Sequence, residues 1–329
     1  VSAVSTRKRI LKVRDLSVSF ATEMGPAKVI EDVSFSVEHG RTLGLVGESG
    51  CGKSVTAMSI IRLLPSPPSR VESGRIFFNG DDMLELNDAE MRSIRGNRIG
   101  MIFQEPMTSL NPTFSIGFQI GEVLRIHRGL GRNRTRARCI ELLEMVGIGS
   151  PASRLDQYPH QLSGGLRQRV MIAMAIACRP GLLIADEPTT ALDVTIQAQI
   201  LDLLVKLQKD LDMSILMITH DLGVVAEFCD HVVVMYAGKI VEKAPVEQIF
   251  SHPRHPYTHG LMTSIPQIGN KRTYLPTIPG MVPGIGQRQA GCYFADRCGR
   301  VTDVCRQTEP RLDGLGTETR LACWNPYEN

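Results

Sequence analysis

The sequence predicts an α/β fold built on a phosphate-binding loop, and three observations carry that expectation. The buried run "RTLGLVG" leads through the glycine-rich "GESGCGKS" into the helical pattern "KSVTAMSIIRLL". Short apolar runs recur further on as "IGMIF", "LLIAD", "SILMIT" and "HVVVMY". Between "LLIAD" and "SILMIT" lies the amphipathic stretch "IQAQILDLLVKLQKDL", long enough for the crossover helix that joins two parallel strands.

In chain order, "RILKVRDLSVSF" and "AKVIEDVSFSV" alternate apolar and polar positions and predict paired antiparallel strands. The punctuators "PSPPSR", "NG" and "LNP" then set off another strand, a helix and "IGMIF". Residues from about 113 to 178 read almost wholly helical, which predicts a helical subdomain inserted over about 105–178. The strands then return, and the core is expected to close near residue 245, dividing the chain into 1–245 and 246–329. From about 252 the texture changes to proline- and glycine-rich segments, "SHPRHPYTHG", "SIPQIG" and "PTIPGMVPGIG", which predict a small separate lobe. No internal repeat is present at a solenoid period.

Composition narrows the function. With 329 residues, 43% apolar and 22% charged, the chain has enough material for a large core and about two domains. Its 37 basic and 34 acidic residues leave a net charge of +3, too balanced for a nucleic-acid footprint, and 5% aromatics offer few stacking platforms. The densest basic stretch, "RIHRGLGRNRTRAR" at 125–138, carries six arginines without interleaved aromatics and reads as a solvated helix-loop face, with lipid head groups a secondary possibility. No apolar run of signal-peptide length follows the basic N-terminal segment, and the longest apolar run, "VMIAMAIAC" at 170–178, is about half a membrane span. The chain is therefore expected neither to cross a membrane nor to be secreted, and that run is expected to be core packing.

Two motifs supply chemistry. Gly47, Glu48, Ser49, Gly50, Cys51, Gly52, Lys53 and Ser54 match the phosphate-loop pattern in the strand-to-helix context that it requires. Glycines let backbone N–H groups curl around phosphate oxygens, Lys53 reaches the outer phosphates, and the Ser54 hydroxyl is a ligand for Mg²⁺. Cys51 is read as a small filler and not as a nucleophile. The apolar strand "LLIADEP" delivers Asp186, expected to hold Mg²⁺ through water, and Glu187, placed as the general base for the attacking water. Gln104 and His220 end neighbouring strands and are expected to face the γ-phosphate, Gln104 also as a Mg²⁺ ligand.

The order of phosphate loop, "FQEP", "LSGG", "IADEPTTALD" and "THD" resembles the ATP-binding subunit of ABC transporters over essentially the whole chain. That resemblance implies a RecA-like sheet with an antiparallel β subdomain, and a pair of subunits sharing two ATPs. Ser163, Gly164 and Gly165 are implied to contact the γ-phosphate of ATP held by the partner, Asp193 to link the two sites, and Phe20, 27 residues before Gly47, to stack on adenine. "EPMTSLNP", "HPRHPYTHGLMTSIP" and the cysteine-bearing tail are similar to the ATPases of peptide and nickel importers, most of all the dipeptide/oligopeptide D-type, although Leu166 stands where a Met is common. The implied setting is the cytoplasmic face of the cell membrane, with a second ATPase subunit as heterodimer partner, two permease subunits and an extracytoplasmic binding protein, and without nucleic acid. The implied activity is ATP hydrolysis coupled to peptide import, with a nickel or small-solute importer or a soluble DNA-repair ATPase as alternatives. A GTPase is excluded because "NKRT" at 270 has Thr273 where a base-reading Asp is required.

Four thiols remain. Cys292, Cys298 and Cys305 fall within fifteen residues, Cys323 follows, and Cys51, Cys139, Cys178 and Cys229 are scattered. Gaps of five, six and seventeen residues lack C-x-x-C knuckles, and four thiolates suit either zinc or an iron–sulfur cluster. The resemblance, some members of which carry a cluster at this place, favours 4Fe-4S with zinc as the alternative. A metal is expected to staple a lobe with little apolar periodicity of its own.

Overall fold

A computed structural model gives the structure of the chain and describes residues 8–23, 25–105, 109–190, 192–264, 277–314 and 318–328. Pro106, Met107 and Thr108 of "EPMTSLNP", Ala191 of "ALD", the "NKRT" segment and most of "SIPQIG" lie outside the described residues. The chain divides into two compact units, one of 1–10, 38–41 and 85–217, the other of 11–37, 42–84 and 218–329.

The second unit holds two sheets. One is antiparallel, in the order β2 (Gly25–Glu38), β1 (Arg9–Thr22), β4 (Ser69–Phe78), β5 (Asp81–Asp82), with a register break between Arg14 and Ser17. The alternation expected of β1 and β2 is present, and Leu11, Val13, Val29, Val33, Phe35 and Val37 are buried from them. The other runs β11 (Asp313–Gly314), β12 (Arg320–Leu321), β10 (Lys239–Pro245), β9 (His231–Tyr236), β3 (Thr42–Val46). Every residue of β3 is buried, as a strand covered on both faces requires, and it pairs in parallel with β9. Ala237 and Gly238, both at positive φ, form the two-residue turn that folds β10 antiparallel onto β9. The tail continues this sheet, since Leu321 and Arg320 pair with Glu242 and Lys243.

Helix α1 (Lys53–Ile60) is shorter than its sequence pattern. Arg62 turns left-handed at φ 51° and Pro65 follows, so the helical hydrogen bonds cannot propagate through "RLL".

The first unit carries β6 (Ile99–Ile102) in parallel with β7 (Leu182–Asp186), and β8 (Ser214–Thr219) on the other side of β7. Helix α2 (Asp88–Ile94) opens with a capping box between Asn87 and Glu90. Between β6 and β7 the chain forms α3 (Ile116–Arg128), α4 (Arg132–Met145), the single turn α5 (Pro151–Arg154) and α6 (Gly164–Ile176). Gln119 ties the entry loop, accepting from Asn111 N at 2.9 Å and donating to the carbonyls of Asn111 and Phe114 at 3.0 Å. Several of the clustered arginines have local partners: Arg138 pairs with Glu141 at 2.7 Å, Arg136 with Asp156 at 3.5 Å, and Arg125 lies over Phe118. The "VMIAMAIAC" run is buried at nearly every position, as expected of core packing. Helix α7 (Val194–Leu211) buries Ile200, Leu201, Leu203, Leu204 and Leu207, the stripe that a crossover helix turns to its sheet. Among the described residues no helix is long and apolar enough to cross a membrane.

Candidate functional site

The phosphate-loop residues lie in the second unit, between Val46 at the end of β3 and the start of α1. At Gly47 an added Cβ would stand 2.3 Å from the Met235 carbonyl oxygen and 2.7 Å from Cys51 Sγ, so no side chain fits. At Gly52, φ +104°, it would stand 2.6 Å from Ile30 Cγ2. The loop is thereby pressed against β9 and β2 while Ser49 and Gly50 stay exposed. Lys53 is buried, its ammonium donating to the carbonyls of Gly47 at 2.7 Å and Glu48 at 3.1 Å. That places a positive charge inside the curl of the loop, where a phosphate group is expected. Cys51 is fully buried, and burial pushes its thiol up, which fits the filler role and not a nucleophile.

Two elements from beyond residue 245 hold Glu48. The Tyr257 hydroxyl, on α9 (Pro256–Thr263), accepts from Glu48 N at 2.8 Å. Arg297 grips the Glu48 carboxylate with both terminal nitrogens, at 2.6 and 2.9 Å. Tyr257 lies within "HPRHPYTHGLMTSIP" and Arg297 within the cysteine-bearing tail, but nothing in either stretch marks one residue for a role, and their partner Glu48 is one of the phosphate-loop pattern's variable positions.

Also in this unit, His220 is exposed just past β8, on a turn in which Asp221 N donates to Thr219 Oγ1 and Asp221 caps α8 (Leu222–Phe228). Phe20 is half-buried on β1, opposite Ser69 of β4.

The first unit assembles the acidic group. Asp186 is buried at the end of β7. Glu187 follows at φ +47°, a left-handed conformation that costs a non-glycine residue of order 1–3 kcal/mol and needs surrounding structure to hold it. Its Oε2 accepts from Gln104 Nε2 and from Thr190 Oγ1, each at 2.9 Å, so two of the polar tips expected to act together do meet. Thr190 is a partner that the sequence reading missed. A buried link joins this loop to α6, where Gln168 Nε2 donates to the Pro188 carbonyl at 2.5 Å.

Ser163 is the N-cap of α6, its hydroxyl accepting from Leu166 N, and Ser163 and Gly164 are exposed. Gly165 is close-packed, with an added Cβ only 3.0 Å from Ile196 Cγ2. Asp193 is exposed and caps α7, accepting from Ile196 N at 2.9 Å.

The cysteine cluster is the expectation that fails. Cys292, Cys298, Cys305 and Cys323 are free thiols that line one small pocket with Phe294 and Trp324. Yet among the described residues no group of three or more His, Cys, Asp or Glu side chains is arranged to hold a metal ion. The iron–sulfur cluster, its zinc alternative and a metal-binding C-terminal lobe are therefore set aside. Burial pushes Cys292 up to about 11 and Cys323 up to about 12, and raises Cys298 as well, so these three thiols stay protonated at neutral pH. Nor does the segment need a metal staple. Phe294 packs on Tyr236 and Tyr257 at 5.1 and 5.4 Å between ring centres, β12 extends the sheet, and Tyr293 and Arg288 bond to Glu31 and to the Val29 carbonyl of β2. The anchors that replace it come from isolated aromatic and arginine residues, which no periodicity reveals.

Comparison with known proteins places these features in a family. Residues 30–190 match the ABC transporter family, and residues 241–305 match the oligopeptide/dipeptide transporter C-terminal region. A probable peptide ABC transporter ATP-binding protein, y4tR of Sinorhizobium fredii, is 51% identical over 320 residues, covering 97% of this chain and 96% of that protein. The dipeptide transport ATP-binding protein DppD of Escherichia coli is 49% identical over 320 residues, covering 97% and 98%. A solved dimeric structure of the ATP-binding cassette MJ0796 in a post-hydrolysis state with ADP and Pi aligns with a TM-score of 0.65 at 26% identity, over 72% of this chain and 98% of that one. The cbiO1 structure from Clostridium perfringens aligns with a TM-score of 0.63 at 28% identity, over 75% and 92%.

Proposed function

The chain belongs to the ATP-binding subunits of ABC transporters, in the group that carries the oligopeptide/dipeptide C-terminal region, and from that premise we propose how its residues do their work. It is the ATP-hydrolysing subunit of a peptide importer and works peripherally at the cytoplasmic face of the inner membrane, on membrane-spanning permease subunits supplied by a binding protein. We take 1–245 as the ATPase domain, with its helical part over about 105–178, and 246–329 as the importer-type extension.

The nucleotide's phosphates are bound by the backbone amides of Gly47–Ser54 and by the Lys53 ammonium, and adenine rests on Phe20. Ser54 and Gln104 offer hydroxyl and amide oxygens that suit Mg²⁺, and Asp186 would hold it through water. That ion, when bound, spreads the negative charge of the phosphates. Glu187 takes the proton of the attacking water, and His220 contacts the γ-phosphate. Ser163, Gly164 and Gly165 present the N-terminus of α6 to ATP on a second, related but non-identical subunit, and Asp193 links the two sites.

The observation that best supports this chemistry is the seat of Glu187: a strained backbone, with two donors oriented on one carboxylate oxygen. Gln104 touches the putting-in-place of that base directly, so the segment that follows it is suited to pass the state of the γ-phosphate to the permease.

Because each ATP is shared, hydrolysis should require a partner. The specific rate of the dilute chain is expected to rise when the second ATPase subunit is titrated in. A full rate in dilute isolated chain, independent of concentration, would contradict the shared site.

A further inference from the structure

The contacts between the segment beyond residue 245 and the phosphate loop reach past the family's general chemistry. Arg297 has a side chain only 6% exposed, against 31% for Glu48, so its charge lies largely out of water. It is fully engaged: Nη1 and Nη2 on the two Glu48 oxygens, Nε on the Pro279 carbonyl at 2.7 Å, and Nη1 within 3.4 Å of the Tyr236 hydroxyl. Its guanidinium also lies near the rings of Tyr236 and Phe294. A planar guanidinium held at three edges fixes the carboxylate it grips in both position and orientation.

On the backbone side of the same residue, the Tyr257 hydroxyl takes the Glu48 N–H. Tyr257 is itself fully buried and stacked edge-on against Tyr236 at 4.7 Å. Glu48 is thus held twice, at its side chain and at its amide. It lies between Gly47, which cannot move toward Met235, and the turn that closes from Glu48 O to Cys51 N. The Glu48 and Gly47 carbonyls are in turn the acceptors that hold the Lys53 ammonium.

We infer that Arg297 and Tyr257 are positioning residues that hold the phosphate loop in its nucleotide-binding shape, so that the seating of the C-terminal extension sets the affinity for ATP. This deepens the function proposed above and rests on the reading of Gly47–Ser54 as the phosphate cradle. Neither residue touches the reacting atoms. A loop held in one shape loses less conformational freedom when the nucleotide binds, so the effect falls on affinity and not on the chemical step.

The test is steady-state ATP hydrolysis by the full chain with its partner subunit, alongside fluorescent-nucleotide binding, for Arg297→Met, Arg297→Lys and Tyr257→Phe. In Arg297→Met the KM and dissociation constant for ATP are expected to rise roughly ten- to a hundredfold, with kcat at saturating ATP within about twofold. Arg297→Lys should recover part of the affinity through its charge but not the two-point grip. Tyr257→Phe removes one oxygen from an otherwise unchanged ring and should weaken ATP by roughly three- to tenfold, which keeps the test available if Arg297→Met folds poorly. A merely structural role would lower the melting temperature and the active fraction and leave KM alone. Unchanged KM in both Arg297→Lys and Tyr257→Phe would overturn the inference. Lys53→Ala runs as a control: nucleotide binding that survives it would instead overturn the reading of the loop itself.

Discussion

Replacing Glu187 by Gln separates binding from chemistry. Gln at this position keeps an oxygen where the donors Gln104 Nε2 and Thr190 Oγ1 need it, both now at 2.9 Å, so the loop geometry should survive. What disappears is the charge. Two hydrogen bonds to a charged acceptor weaken from about 1.5–3 to about 0.5–1.5 kcal/mol each, and because Gln104 is exposed the net loss of stability should be only about 1 kcal/mol. The chemical step loses its base, typically a factor of about 10²–10⁴, or about 3–5 kcal/mol of barrier. Phosphate release and nucleotide titration on the same preparations would show kcat falling by that factor, with the ATP dissociation constant within about threefold of wild type. Lys53→Ala removes the ammonium from the loop and should show the reverse, with binding weakened about tenfold or more. Equal loss of binding in the two variants, or hydrolysis by Glu187→Gln at close to the wild-type rate, would refute the assignment of Glu187.

Three further outcomes are expected. Gly47→Ala would drive a Cβ into the Met235 carbonyl, 2.3 Å away and on backbone that cannot step aside, so the variant should lose nucleotide binding and melt earlier by calorimetry. Asp193→Ala removes the cap of α7 and should cost about 1 kcal/mol in urea unfolding, a measurement that leaves its dimer role to be read separately from ATP-dependent pairing. His255 is buried and held neutral, its value pushed down by burial from 6.5 to about 3, so below about 6.5 the unfolded chain binds a proton that the folded chain does not. Its contribution is present in full above that value and falls by up to ~1.4 kcal/mol per pH unit on acidification toward about 3. His255→Asn keeps an acceptor for Tyr257 N and should flatten the loss of urea stability between pH 6.5 and 4. Glu242, raised by its own burial, pulls the opposite way, so the variant is compared with wild type at each pH; parallel curves would exclude His255 as the cause.

The chain's motifs were legible because each is dictated locally. A phosphate loop needs glycines where a Cβ would strike Met235 or Ile30, and "LLIAD" needs apolar residues at its first four positions because β7 is covered on both faces. Gln104 and Glu187 were each suspected from their place at a strand end, and their hydrogen bond joins residues 83 apart in the chain. Contacts without a motif escaped the sequence. Arg297 and Glu48 lie 249 residues apart, and nothing in "ADRC" distinguishes a buried carboxylate grip from a surface arginine. The cysteines misled for a related reason: spacing along a chain gives proximity, but ligation depends on where the sulfurs point. Here the thiols of Cys292, Cys298 and Cys323 are held neutral by burial, in a segment anchored by Phe294, Tyr293 and Arg297.

Peptide import driven by this subunit is tested most directly in vesicles that hold the complete importer, with the peptide-loaded binding protein on one side and ATP on the other. Labelled peptide uptake and phosphate release are then measured together for wild type and Glu187→Gln. Wild type should accumulate peptide only with ATP, its hydrolysis rising when the loaded binding protein is added, and Glu187→Gln should abolish uptake and hydrolysis together. Uptake at the wild-type rate by Glu187→Gln, or hydrolysis indifferent to the peptide-loaded binding protein, would contradict the assignment.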